Sequence, residues 1–148
     1  MKHIWSVLCK KTVIDQETNN ISLLESLEEL KFEIRDSKLK GKAINIPFDF
    51  ELVSYWIKDD SSTSKFDSLI ELYDSKKRKI AAFPGKINFP KDKKRLRTRL
   101  KIQGIGITEN YGTYVFKVSV KREKDSKYSV VSEIPLDIKV EFKEAGSI

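Results

Sequence analysis

The 148-residue chain contains one cysteine, Cys9, and one histidine, His3. A single cysteine excludes a disulfide within the chain, and one cysteine with one histidine cannot supply the four N/S ligands of a structural zinc site. They cannot form a nucleophile–base pair either. Six residues apart on an extended strand, their Cα atoms would stand about 20 Å apart, beyond proton-transfer reach. Cys9 therefore reads as a small buried hydrophobe and His3 as a surface residue. Glycine is also scarce. The six glycines are scattered, and Gly104-Ile105-Gly106 lacks the remaining spacing and the Lys-Ser/Thr of a phosphate-cradling loop. Long apolar runs are missing too. Near the N-terminus only Ile4 to Cys9 could pass for a targeting core, and it is too short for a signal peptide or a bilayer span. The reading is a soluble, cytoplasmic protein with no membrane insertion and no call for a cofactor.

What is present is apolar material and charge. Hydrophobic residues make up 39% of the chain and aromatics 10%, enough to build a core, and the length suits one domain covering residues 1–148. Two-residue alternation dominates over helical periodicity. From Leu96 the apolar residues Leu96, Leu100 and Ile102 fall on even positions while Arg95, Arg97, Arg99 and Lys101 fall on odd ones, which gives a strand with one oily and one cationic face. Tyr114, Phe116, Val118 and Val120 share one parity. After the turn-like Lys124 to Lys127, a second run follows with Tyr128, Val130, Leu136, Ile138, Val140 and Phe142, so a hairpin is expected. Pro135 inside that run points to a bend or an edge. Phe48 to Ile57 and Phe66 to Leu72 supply two more strands, separated by a polar surface loop at Asp59 to Ser64. Ile80 to Phe83 reads as a short strand before a loop over Pro84 to Lys94. His3 to Cys9 reads as a strand leading to a turn at Asp15 to Asn20, where Asn19 and Asn20 tolerate positive φ.

Residues 22–30 are ambiguous. Ser22-Leu23-Leu24-Glu25 matches a helix capping box, yet Ile21, Leu23, Leu30, Phe32 and Ile34 also fit strand alternation, and the balance leans to strand. Seven to nine short strands in this length read as an all-β, two-layer antiparallel β-sandwich, immunoglobulin-like or C2-like, with room for one short helix near 22–30. Its expected core is Trp5, Val7, Phe50, Leu52, Trp56, Ile70, Leu100, Ile102, Tyr114, Phe116, Val118, Ile138 and Val140.

Asn110 to Phe116 resembles the tyrosine corner of immunoglobulin-like sandwiches, in which a Tyr two residues before a core position bonds back to backbone; Phe116 stands where an antibody domain has Cys. Trp5 to Cys9, Thr18 to Leu23, Phe50 to Trp56 and Gly112 to Phe116 together resemble an uncharacterised family of small bacterial and phage-associated β-sandwich proteins. That resemblance implies a fold and no catalytic residue.

The strongest departure from an ordinary surface is Lys76 to Lys101. Lys76, Lys77, Arg78, Lys79, Lys86, Lys91, Lys93, Lys94, Arg95, Arg97, Arg99 and Lys101 face a single carboxylate, Asp92. The segment thus carries +11 of a chain whose total is +7. Arg95, Arg97, Arg99 and Lys101, helped by Lys76 to Lys79 and by Lys91 to Lys94, form the candidate face for an acidic protein or a nucleic acid. The structural alternative is a solvated strand face neutralised by Asp67, Glu71, Asp137 or Glu141 on an adjacent strand. Replacing Arg97 and Arg99 with Glu is expected to abolish docking and leave stability nearly unchanged. No pair of carboxylates is placed for acid–base work. Asp59-Asp60, with Asp15 or Asp67 nearby, offers only a poor calcium site. The chain thus reads as a non-catalytic binding or assembly module, with a structural subunit that pairs with its own copies, or a metal-dependent enzyme acting on an acidic polymer, as alternatives.

Overall fold

In a computed structural model that describes residues 1–60 and 62–144, strands alone build two packed sheets. They are β1 (Lys2–Ile14), β2 (Ile21–Ser26), β3 (Glu29–Ile34), β4 (Ile44–Ile57), β5 (Lys65–Tyr73), β6 (Lys79–Asn88), β7 (Arg95–Ile107), β8 (Tyr111–Arg122) and β9 (Ser129–Phe142). One sheet has the order β2-β1-β4-β7 and the other β3-β9-β8-β5-β6, as expected of a β-sandwich. Ser61, in the polar loop before β5, lies outside the described residues.

The segment from Ile21 to Ile34 is strand on both sides of a sheet change. Leu27 bonds back to the Leu8 carbonyl, and the next carbonyl, Glu28, accepts from Asp137, so the chain leaves the first sheet and enters the second within two residues. Glu25 has a φ of 57° there. Residues 22–30 therefore contain no helix; the capping-box pattern loses to partners waiting on β1 and β9. The only helical turn among the described residues is a 3-10 turn at Ser37–Leu39. β3 runs parallel to β9, the one exception to an otherwise antiparallel arrangement.

The expected hairpin is β8–β9. Pro135 pairs with Val115 on one side, while β3 starts only opposite Asp137, so the proline sits on a locally open edge where no N–H is needed. The same logic corrects the strand expected at Ile80 to Phe83. β6 continues through Pro84 and Gly85 to Asn88, because it is the last strand of its sheet and Pro84 loses no ladder partner.

Between the sheets, Phe50, Leu52, Trp56, Ile102, Tyr114, Phe116, Val118, Ile138 and Val140 are buried as expected, joined by Leu8, Phe89 and Leu136. Ile70 and Leu100 pack against this core from half-buried positions. Trp5 and Val7 are not part of it. A bulge between His3 and Trp5 shifts the register against β4, so Leu8 points inward and Trp5 and Val7 point outward. The same shift turns His3 inward, and it is half-buried, not a surface residue. Its ring meets the edge of Trp56 at 5.1 Å, its Nε2 lies 2.7 Å from Ser6 Oγ, and burial pushes its pKa below the usual value.

The tyrosine corner is present in its geometry. The hydroxyl of the fully buried Tyr114 accepts from the backbone N–H of Thr108 at 3.0 Å and of Glu109 at 3.3 Å, which ties β8 to the end of β7. A second parity switch occurs at Gly104, whose φ of 147° is open to few other residues. Before it Leu96, Leu100 and Ile102 face inward; after it Ile105 and Ile107 do.

Candidate basic cleft on the outer face of the first sheet

Cross-strand register places the cationic residues of β7 in rows across β4 and β1. Trp5, Tyr55 and Arg97 form one row, Val7, Val53 and Arg99 the next, and Cys9, Glu51 and Lys101 a third. All lie on the face opposite the core. A bare outer face would be wet, yet Cys9 and Val53 are completely buried and Glu51 is 7% exposed.

The distal half of the β1–β2 hairpin supplies contacts at this face. β1 pairs with β4 only as far as Cys9, and its remaining residues pair with β2 alone. Two anchors hold the hairpin. The Glu51 carboxylate accepts from the Thr12 backbone N–H at 2.8 Å and from its hydroxyl at 3.1 and 3.2 Å, and Arg99 Nε stands 3.4 Å from the same carboxylate. At the tip, Arg97 donates to the Asn19 carbonyl at 2.7 Å and to Asn19 Oδ1 at 3.1 Å. The tip is rigid for a local reason. Asp15 Oδ1 accepts from the N–H of Glu17 and Thr18, which also lowers the Asp15 pKa, chiefly through the Thr18 bond, and Asn19 takes the left-handed φ of 58° expected for that turn.

Between this tip and β7 lies a cleft of about 510 Å³, lined by Ile14, Thr18, Asn19, Asn20, Tyr55, Pro90, Lys93, Arg95, Leu96, Arg97 and Arg99. It holds cations from four positions and no carboxylate. Lys93 and Arg95 are exposed and have no ion-pair partner among the described residues, nor have Lys94 and Lys101. Aromatic surface adjoins the cations. Tyr55 lines the cleft, and its ring stacks on Trp5 at 5.7 Å between centroids with 26° between planes; both are half-buried.

The residues singled out from the sequence divide into two groups. Arg95, Arg97, Arg99 and Lys93 line the cleft, with Lys94 between two of them in the chain but not in the lining, and Lys101 farther along the same face. Lys76, Lys77, Arg78 and Lys79 are elsewhere, at the β5–β6 turn, beside the far end of β7. Twelve residue steps separate Arg95 from Ile107, roughly 40 Å of strand. That second group is also largely neutralised. The fully buried carboxylate of Asp74 accepts from the N–H of Lys76 and Arg78, from Arg78 Nε at 2.8 Å and from Thr108 Oγ1 at 2.9 Å. Lys76 and Arg78 approach Glu109, and Lys79 pairs with Glu71.

The acids expected beside the ladder belong to the other sheet. Asp67 holds Lys86 and Lys121, Glu141 holds Lys31 and Lys139, and Asp137 accepts from Thr113. Glu51 does the neutralising instead, and it engages Arg99. Arg97 and Arg99 are therefore fixed parts of the fold, so charge reversal at these two positions would disturb the hairpin as well as any docking. Of the cations that line the cleft, Lys93 and Arg95 are those whose side chains make neither an ion pair nor a hydrogen bond within the described fold.

Metal coordination finds no assembled donor set: among the described residues no three His, Cys, Asp or Glu side chains are grouped to hold an ion. Asp59 instead pairs with the amino group of Met1, and Asp15 and Asp67 are engaged as above. No described helix is long and apolar enough to cross a membrane. Two features are not visible in the sequence. Tyr55 shares a strand with the three core residues Phe50, Leu52 and Trp56, which mask it, and Trp5 reads as inward because a bulge has no reliable sequence mark. No protein-family model matches the chain and no curated protein matches it, so the cleft's own chemistry carries the functional reading.

Proposed function

We propose that this protein is a non-catalytic binding module that docks an acidic partner in the cleft between the β1–β2 turn and β7. The observation that supports this reading is the pairing of two unneutralised cations, Lys93 and Arg95, with a concave site that no carboxylate lines. Cations on a flat outer face would be accounted for by solubility alone. A cleft walled by a rigid turn concentrates the same charges on whatever enters it, and the resulting attraction is salt-sensitive.

The test is a salt gradient on an immobilised polyanion such as heparin. The native protein is expected to elute at higher salt than the Lys93→Glu, Arg95→Glu variant. A Lys42→Glu, Lys77→Glu variant, with the same charge change at the opposite end of the sandwich, should elute close to the native protein. Equal elution of the two variants would reduce the cleft to ordinary surface charge.

A further inference from the structure

Cations explain attraction to any polyanion; they do not explain why an aromatic pair borders them. Tyr55 is flanked in its cross-strand row by Trp5 on the β1 side and Arg97 on the β7 side. Trp5 stacks on the ring, and the cleft, which Trp5 does not line, is walled in part by Tyr55. Arg97 cannot swing freely, because Asn19 holds its guanidinium with two hydrogen bonds. A planar π surface thus sits at a fixed place next to a fixed guanidinium and two cations without partners.

We infer that this cleft binds single-stranded nucleic acid, with a base laid on Tyr55 and the neighbouring phosphates held by Lys93, Arg95 and Arg97. The inference rests on the reading of the cleft as an acidic-partner site. Sequence-tolerant binding of single strands combines these two elements, a cationic track for phosphates and aromatic faces for bases. A duplex keeps its bases stacked on one another and has no free face to offer Tyr55. An acidic peptide would use the cations and leave the ring unused. The pre-stacked Trp5 stiffens Tyr55, so little side-chain freedom remains to be lost on binding.

The experiment is fluorescence-anisotropy titration with short labelled oligothymidine and oligouridine, the matching duplex, and polyglutamate, each over a salt series. It is paired with the protein's own tryptophan emission. Trp56 is buried and donates its N–H to Thr98 at 2.9 Å, so a quench on binding reports Trp5 and should disappear in Trp5→Phe. The single strands are expected to bind more tightly than the duplex or polyglutamate. Tyr55→Leu should weaken them roughly 5- to 150-fold, the range for loss of one base stack, with little change in salt slope. Tyr55→Phe, which keeps the π face, should bind like the native protein. Lys93→Glu with Arg95→Glu should lower the salt slope by about 1.4, from about 0.7 per phosphate contact. Duplex or polyglutamate binding as tight as the single strands, with Tyr55→Leu unchanged, overturns the inference and leaves the acidic-partner reading standing. Absence of binding to every probe at low salt overturns both.

Discussion

Glu51→Ala is the perturbation that most directly probes how the cleft is built. The side chain is 7% exposed and accepts the Thr12 backbone N–H at 2.8 Å and its hydroxyl at about 3.1 Å, while Arg99 approaches to 3.4 Å. Truncation orphans a buried backbone donor, which costs about 1–3 kcal/mol, and removes the carboxylate that faces Arg99. Arg99 is itself 31% exposed at its side chain, so water takes over much of its charge and the ion pair adds no more than about 1 kcal/mol. The expected loss is about 1–4 kcal/mol. At about 3 °C per kcal/mol for a chain of this size, the melting temperature should fall by roughly 3–12 °C. Arg99→Ala, by the same reasoning, should cost about 1 kcal/mol or less. Thermal and urea unfolding followed by circular dichroism measure both variants. Amide hydrogen exchange reads the hairpin itself, because Thr12 N–H should lose its protection in Glu51→Ala even at temperatures where the core stays folded. A Glu51→Ala protein that melts within a degree of the native one, with Thr12 still protected, would show that the hairpin is held by other contacts.

Two further outcomes follow from buried polar groups. Tyr114→Phe keeps the ring in the core but leaves the N–H of Thr108 and Glu109 without their acceptor, and should cost about 1–3 kcal/mol in urea unfolding with exchange rising first at Thr108. Acid should destabilise the protein through Asp74. Burial alone would raise its pKa, but the Arg78 N–H, the Thr108 hydroxyl and the Arg78 guanidinium together outweigh that and hold it below the usual carboxylate value. A depressed folded-state pKa means this stabilisation is complete above the unfolded value near 3.9 and is lost as pH falls through the folded one. Urea midpoints measured from neutral pH downward should therefore drop below about pH 4, and Asp74→Asn should flatten that drop; an unchanged slope in the variant would refute the assignment.

Much of the fold was legible from residue order because strand alternation is a local property. The even-numbered Phe50, Leu52 and Trp56 and the opposed cationic and apolar faces of Arg95 to Ile102 could be read without knowing any neighbour. The tyrosine corner was legible too, since Tyr114 and the backbone it grips are only five or six residues apart. Irregularities were not legible. The bulge that expels Trp5 from the core and the edge position that lets β6 run through Pro84 depend on where β4 and β5 lie, and nothing in the local pattern encodes that.

The candidate site divides along the same line. By itself the sequence determined that positive charge is concentrated between Lys76 and Lys101 and that four cations alternate along one strand. Only tertiary structure decided which of them are free. It carried Lys76 to Lys79 to the opposite end of the sandwich and gave them Asp74, Glu109 and Glu71. It set Glu51 against Arg99 and Asn19 against Arg97, and it left Lys93 and Arg95 beside Tyr55. Charge is a property of a residue, whereas neutralisation, like the aromatic surface next to it, belongs to contacts between residues, and at the cleft those contacts join residues tens of positions apart, Glu51 with Arg99 and Asn19 with Arg97.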